Sequence, residues 1–465
     1  MMPLVKTESA ESQVGPEKTR SGACEACRKR KVKCSGSHPC TACVNSHLSC
    51  VYSSWKSGRS RRGIKRGKVI TDYMTNSPLA RIPHIRFSDE YIYSLIPYFM
   101  SGRYPVCPVL CEDEARSAVQ DAVKGGEDGP LGYAIGAVAL EYLNSKTGFG
   151  PDKQSIEALA RLAIASRGPL SPDFNVSLKA VITSSFISDA LVTAGKLDAA
   201  WLYLHEAIGM MNLLRIGDSS TLAGLSDNER ARQLRVYWML YVHERFLVLH
   251  MKRSRLLLPP LAEYPKQVSD IAPEVHRGFL CIVQLFEHVD QNFVNAFIGA
   301  DGHVDDVDPQ WIQDKANALE SFASKLPSEL TPAQQADQII SHQWMLIVLW
   351  QIAMSRFWLL STTTTSGVMA LVFPIEVTRK LQKLVTDIDT DAIEAQGYSI
   401  NQKLYELIIA ISEVIPLIPP DRLRLEVDSI DSFVWIARYL LTQSTVLDAQ
   451  KAILETKLDR ITSML

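Results

Sequence analysis

The chain has no long apolar run. The longest, WMLIVLW at 344–350, is seven residues and is closed by Gln343 and Gln351, well short of the roughly 18 that a membrane-spanning helix needs. The first fifteen residues, MMPLVKTESAESQVG, hold no apolar segment of the kind a secretory signal carries. Alternating apolar and polar residues between tight-turn signals are scarce, so little of the chain asks to be sheet. There is no Walker loop, no GxGxxG after a strand, no HExxH and no GxSxG, and the histidines are scattered without ligand spacing. Cysteine is sparse outside one stretch: only Cys107, Cys111 and Cys281 of nine lie beyond residues 24–50. These absences predict a soluble intracellular chain, neither membrane-spanning nor stapled by disulfides, and not an enzyme.

What is present is uneven. Hydrophobic residues make up 46% of 465 residues, enough for a large core, and the net charge is only −2. Residues 1–70 hold fifteen Lys and Arg against four Asp and Glu, a net of +11, which leaves −13 for the remainder. A basic head on an acidic body predicts a polyanionic partner for the head.

Residues 24–50 read CEACRKRKVKCSGSHPCTACVNSHLSC. The frame Cys-x2-Cys-x6-Cys occurs twice, as Cys24, Cys27, Cys34 and as Cys40, Cys43, Cys50. A Cys-x2-Cys pair turns two sulfurs toward one ion, and zinc prefers four tetrahedral thiolates. Six thiolates are too many for one zinc and too few for two separate shells. They serve two zincs if two sulfurs bridge. The duplicated frame suggests that equivalent residues of the copies bridge; Cys24 with Cys40 is the natural pair, though symmetry alone does not single it out. His38 and His47 add nothing that a closed thiolate shell needs, and Pro39 is expected to shape the loop between copies. A segment this small cannot bury enough apolar surface to fold unaided, so the metal is expected to supply its stability.

Only the first copy is charged. Arg28, Lys29, Arg30, Lys31 and Lys33 follow Cys27. They exceed what is needed to offset an anionic zinc–thiolate cluster, so the surplus faces outward. Phosphate attraction is one reading. The sharper one is a short helix entering the major groove, with Lys or Arg donating to guanine O6 and N7.

The full spacing, Cys-x2-Cys-x6-Cys-x5-Cys-x2-Cys-x6-Cys with a basic first gap and Pro39 before the fourth cysteine, resembles the Zn2Cys6 binuclear cluster of fungal transcription factors. The resemblance covers residues 24–50. It implies that Cys24 and Cys40 bridge, that CGG-type triplets are the target, and that Lys31 makes the main base contact. The neighbouring cations are then phosphate contacts, which position rather than specify.

Residues 56–68, KSGRSRRGIKRGK, carry seven basic residues and no acidic one. They read as an extended linker that tracks phosphates or directs nuclear import. Pro78 and Pro83 interrupt the region where a dimerising coiled coil would lie, and no sustained heptads appear. Monomeric binding and a homodimer through the body both stay open.

From residue 87 the pattern is helical. Ser88 precedes Asp89 and Glu90, and Ile92, Leu95, Ile96 and Phe99 recur at helical spacing. Ser226 and Glu229 form a capping box before a helix whose Leu234, Trp238, Tyr241, Val242 and Leu249 make one apolar stripe. Arg245 falls in that stripe, where a charge is costly unless paired. It is read as a buried structural ion pair, with an effector pocket as the alternative. WMLIVLWQIAMSRFWLL at 344–360 is apolar nearly all round and should sit centrally. Cys107 and Cys111 read as packing residues rather than redox or metal sites. The chain's last nineteen residues, LDAQKAILETKLDRITSML, read as a helix. Three stretches, YSLIPYFMSGRYPVCPVL, LRVYWMLYVHERFLVL followed by RLLLP, and QQADQIISHQWMLIVLWQ, resemble the fungal regulatory middle region. They are similar to the branch holding starch and maltose utilisation activators, which also includes regulators of secondary-metabolite clusters. That resemblance implies an effector- or partner-sensing helical domain.

The expectation is therefore a disordered tail (1–20), a Zn2Cys6 DNA-binding domain (21–53), a basic linker (54–86) and a large all-α regulatory domain (87–465). Its cofactor would be two Zn2+ per chain. Its partners would be double-stranded DNA with CGG-type sites and a small-molecule or protein effector, with no membrane. It would reside in the nucleus as a transcription regulator, more readily an activator, of a secondary-metabolite cluster or alternatively of carbohydrate utilisation genes. The rivals from other classes are a nucleic-acid-tethered enzyme and a zinc-organised protein-interaction module.

Overall fold

A computed structural model describes residues 23–52, 87–147, 153–169, 175–253, 255–299, 307–356, 367–387, 392–393, 397–418, 427–443 and 445–464. The chain divides into two compact units, 1–81 and 82–465. The tail and the basic linker expected from the sequence lie outside the described residues.

In the first unit the duplication of the cysteines extends to the backbone. Helix α1 (Glu25–Arg30) follows Cys24, and helix α2 (Thr41–Val44) follows Cys40. Each helix is followed by a left-handed residue seven positions after its first cysteine, Lys31 at φ 55° and His47 at φ 51°. A left-handed residue lets the next amides turn back onto the helix's open carbonyls. Val32 N–H accordingly donates to Cys27 O at 3.1 Å, and Leu48 N–H to Cys43 O at 3.0 Å. Cys24 N–H approaches Cys34 Sγ at 3.5 Å, and Cys40 N–H approaches Cys50 Sγ at 3.2 Å. Two copies of one sulfur-holding turn are thus placed face to face, with little apolar side-chain core beneath them.

The second unit is helical, and no strand occurs among the described residues. Its main helices are α3 (Asp89–Ser94), α4 (Glu112–Lys124), α5 (Gly129–Thr147), α6 (Lys153–Arg167), α7 (Leu178–Thr193), α8 (Leu197–Leu213), α9 (Asp227–His250), α10 (Pro273–Glu287), α11 (Gln291–Ile298), α12 (Pro309–Ala323), α13 (Pro332–Ser355), α14 (Phe373–Asp387), α15 (Gly397–Val414), α16 (Val427–Thr442) and α17 (Asp448–Thr462). Helices α4 to α8 pack on their sequence neighbours, while α13 packs with α10, α12, α14 and α15. One continuous apolar core runs through the unit.

Local chemistry explains the longest helices. Ser226 Oγ accepts from Glu229 N–H, and the Glu229 carboxylate accepts from Ser226 N–H at 3.2 Å, which closes the capping box that opens α9. Thr331 and Gln334 form the same box ahead of α13, with Pro332 at its first position. Proline is tolerated there because its missing N–H would have no helical partner. Trp344 and Trp350 of α13 are about 1% exposed, and every residue from 340 to 350 is buried, so α13 is the central helix that its composition predicts. The stripe expected on α9 is too narrow a description. Residues 234–241 are buried all round, because α9 is packed by α7, α8, α10 and α11 on different sides.

Arg245 on α9 is 2% exposed and serves as a structural tie. Its guanidinium donates to Val289 O (3.1 Å), Leu258 O (2.9 Å) and Tyr241 O (3.3 Å), and stacks on the Tyr241 ring. Glu244, 0% exposed, lies 3.5 Å away and accepts from Leu257 N–H and Leu258 N–H. The pair fixes the 256–258 segment and the end of α10 against α9.

Candidate metal centre and nucleic-acid interface

The side chains of Cys24, Cys27, Cys40 and Cys43 are fully buried, and their sulfurs all lie within 4.8 Å of one another. Three separations are short: Cys27 to Cys40 at 3.5 Å, Cys40 to Cys24 at 3.7 Å, and Cys24 to Cys43 at 3.5 Å. Four sulfurs around a tetrahedral zinc at about 2.3 Å stand about 3.8 Å apart, so each is close to the edge of a zinc–thiolate tetrahedron. The three edges form a chain with Cys24 and Cys40 at its centre, each touching two sulfurs.

The remaining two thiols couple to different members of this group. Cys34 interacts with Cys27 and Cys40, and Cys50 with Cys24, Cys40 and Cys43. Two overlapping groups result, each joining the three cysteines of one copy to the first cysteine of the other. The donor set fits two zinc ions. Burial pushes the Cys27 thiol up to about 12 and raises Cys43 as well, whereas the Cys27 amide lowers Cys24 and the Tyr52 hydroxyl lowers Cys34. Tyr52, which the sequence reading did not single out, supports Cys34. Its hydroxyl lies 3.3 Å from Cys34 Sγ and donates to Ser37 O at 3.0 Å. An aromatic two residues after the last cysteine was the available signal.

All five cations of the first copy are exposed. Arg28 Nη2 donates to Ala23 O at 3.3 Å, and none of Arg28, Lys29, Arg30, Lys31 and Lys33 has a salt-bridge partner among the described residues. Lys31 occupies the left-handed position that ends α1, so its side chain leaves the module where the helix stops. The matching edge of the second copy carries no cation and exposes Val44 where the first has Arg28.

The helical unit has its own candidate site, a cavity lined by side chains from six helices and from the segment between Arg103 and Cys107. Arg103 pairs with Asp189 of α7, and its Nη2 lies 3.2 Å from His243 Nε2 of α9. Glu141 of α5 accepts from Tyr398 N–H at 2.6 Å, and Lys403 of α15 reaches Asp337 of α13 at 3.2 Å. Phe246, Phe279 and Phe286 supply apolar wall. Burial pushes Glu141 up to about 7 and pulls His243 down to about 4. Arg245, offered by the sequence as the pocket alternative, does not line this cavity; its charge is spent on carbonyls. Cys107 does line it and is 3% exposed, whereas Cys111 precedes α4.

A cysteine cluster with a cationic edge, on a chain whose second unit is helical among the described residues, has the features of a zinc-organised DNA-binding protein. Residues 22–60 match the Fungal Zn(2)-Cys(6) binuclear cluster domain. It is similar to the probable sucrose utilization protein SUC1 of Candida albicans, at 24% identity over 85% of this chain and 79% of that protein. It is also similar to the maltose fermentation regulatory protein MAL13 of Saccharomyces cerevisiae, at 20% identity over 84% of each chain. The fumonisin cluster-specific transcription factor FUM21 of Gibberella moniliformis is 47% identical over 60 residues, 12% of this chain and 9% of that protein. No helix among the described residues is long and apolar enough to cross a membrane.

Proposed function

We propose that this protein is a nuclear, sequence-specific transcription regulator that reads CGG-type triplets. Two zincs held by Cys24, Cys27, Cys34, Cys40, Cys43 and Cys50 shape the reader, with Cys24 and Cys40 shared. Lys31 contacts the bases, while Arg28, Lys29, Arg30 and Lys33 hold phosphates. The chain of sulfur contacts centred on Cys24 and Cys40 carries this reading, because a rigid double-zinc core is what would fix Lys31 at the end of so short a helix. The helical domain acts as the sensor, not as an enzyme, and its central cavity takes the effector. Six elements bring opposed charges to that one cavity, so an occupant can bias how they pack.

For the target genes, resemblance along most of the chain favours carbohydrate utilisation, since relatives aligned over that length carry sucrose or maltose names. A biosynthetic cluster is the second reading, favoured by the 47% identity of the head to the fumonisin factor. Random-oligonucleotide selection with the full chain tests the first part: enrichment of CGG triplets supports it, and enrichment of none refutes it. Promoter occupancy mapping separates the two gene classes.

A further inference from the structure

A second cavity, of about 250 Å³, lies elsewhere in the helical unit. It is bounded by the segment from Tyr104 to Cys111, the first turns of α9 and Asp270 with Ile271. Two arginines one helical turn apart, Arg232 and Arg235, line it. Arg235 is 3% exposed, and its Nε and Nη1 have no hydrogen-bond partner among the described residues. Arg232 Nε is likewise buried without a partner. Three guanidinium nitrogens of residues that line this cavity are therefore buried donors without acceptors. Guanidinium nitrogens never accept, and a buried unpaired cation is strongly disfavoured.

The acceptors around the cavity are already committed, or stand at its mouth. Glu114 pairs with Arg232 Nη1 at 2.6 Å and accepts from Cys111 N–H at 3.0 Å. Glu229 is exposed and held by Ser226 in the capping box. Asp270 is exposed and forms no salt bridge to Arg235. Its charge still acts on Arg235, but burial prevails and holds that guanidinium below its usual range. His276, 7% exposed and also electrostatically coupled to Arg235, has an unpartnered Nδ1.

We propose that this cavity binds the carboxylate of a small organic acid, which takes the planar fork of Arg235 and the free Nε of Arg232. A carboxylate matches a guanidinium with two parallel hydrogen bonds. Glu229 and Asp270 at the mouth repel ligands of higher charge, so a single carboxylate is preferred to a phosphate. The site is distinct from the central charged cavity and does not depend on the DNA-binding assignment.

The test is thermal unfolding of the purified full chain titrated with acetate and lactate, with chloride at matched ionic strength as the reference and inorganic phosphate as the competing class. The carboxylates should raise the melting temperature saturably. Arg235→Met should fold, since it removes an unpaired charge, and should weaken the response at least about tenfold. Asp270→Asn, an exposed change that leaves the core intact, should shift the saturation midpoint several-fold lower. Absence of a saturable response in the wild type overturns the proposal, and so does an unchanged midpoint in Arg235→Met. A phosphate response tighter than that of acetate overturns the carboxylate class. Loss of the response in Asp270→Asn would mean that Asp270 supports the site instead of repelling its ligand, which also overturns it.

Discussion

Replacing Cys24 by serine removes one atom that two metal ions are proposed to share. Replacing Cys34 removes an atom belonging to one. The sulfur geometry makes the difference measurable. Cys24 stands 3.7 Å from Cys40 and 3.5 Å from Cys43, which suits a place in both proposed tetrahedra, whereas Cys34 couples to Cys27 and Cys40 and is assigned to one. Changes outside the ligand shell already cost zinc sites about 10- to 100-fold in affinity, and losing a ligand should exceed that. Each structural zinc in small finger peptides contributes apparent binding free energy of about 10–16 kcal/mol, so the module cannot stay folded without its metal. The assay is native mass spectrometry of the full chain during chelator titration, read as zinc per chain. Wild type should hold two zincs. Cys34→Ser should weaken one and leave a chain with a single zinc over a wide range of chelator. Cys24→Ser should weaken both together and pass directly from two to none, with loss of DNA binding. Equal behaviour of the two variants would refute the shared-sulfur assignment, and a wild-type chain with one zinc would refute the binuclear reading altogether.

Lys31→Ala should cost about 1–3 kcal/mol on a CGG site and relax preference at the triplet. Arg28→Ala should weaken all sequences alike and lower the salt slope by about one, both read by binding isotherms at several salt concentrations. Arg245→Met should destabilise the helical domain by about 3–5 kcal/mol in denaturant melts, because it strands buried Glu244 and three carbonyls; a variant of wild-type stability would remove its structural role. Glu141 and His243 give opposed pH dependences. Burial pushes Glu141 up to about 7, so between about pH 4.5 and 7 the folded state binds more protons than the unfolded, and stability falls as pH rises. Burial pulls His243 down to about 4, so between about pH 4 and 6.5 the folded state binds fewer protons, and stability rises with pH. Glu141→Gln should therefore expose the rising limb, with stability relative to wild type gaining on the order of 2–3 kcal/mol from pH 4.5 to 7. A flat difference curve would show that Glu141 titrates normally.

The head was legible because metal imposes a spacing that the chain must write out in order. All six thiols lie within 27 residues, and the sixteen-residue offset between copies recurs in helix starts, left-handed ends and amide–sulfur contacts. The capping box at Ser226 and the central place of 344–350 were legible for a similar reason, since capping and all-round burial are local. The cavities were not, because their chemistry is assembled across distance. Arg103 meets Asp189 across 86 residues and His243 across 140, a pairing that no local period encodes. What the sequence offered was weaker. Asp189, His243 and Lys403 each interrupt an otherwise apolar helix face, as Arg245 does, and only packing decides which of them meet a carbonyl and which meet an open space. Arg245 shows why a buried charge alone is a poor guide to a site: its donors are consumed by Val289, Leu258 and Tyr241. Arg235, ten residues earlier on the same helix and equally buried, has no such partners, and that difference in satisfaction, rather than burial, is what marks a place for a ligand.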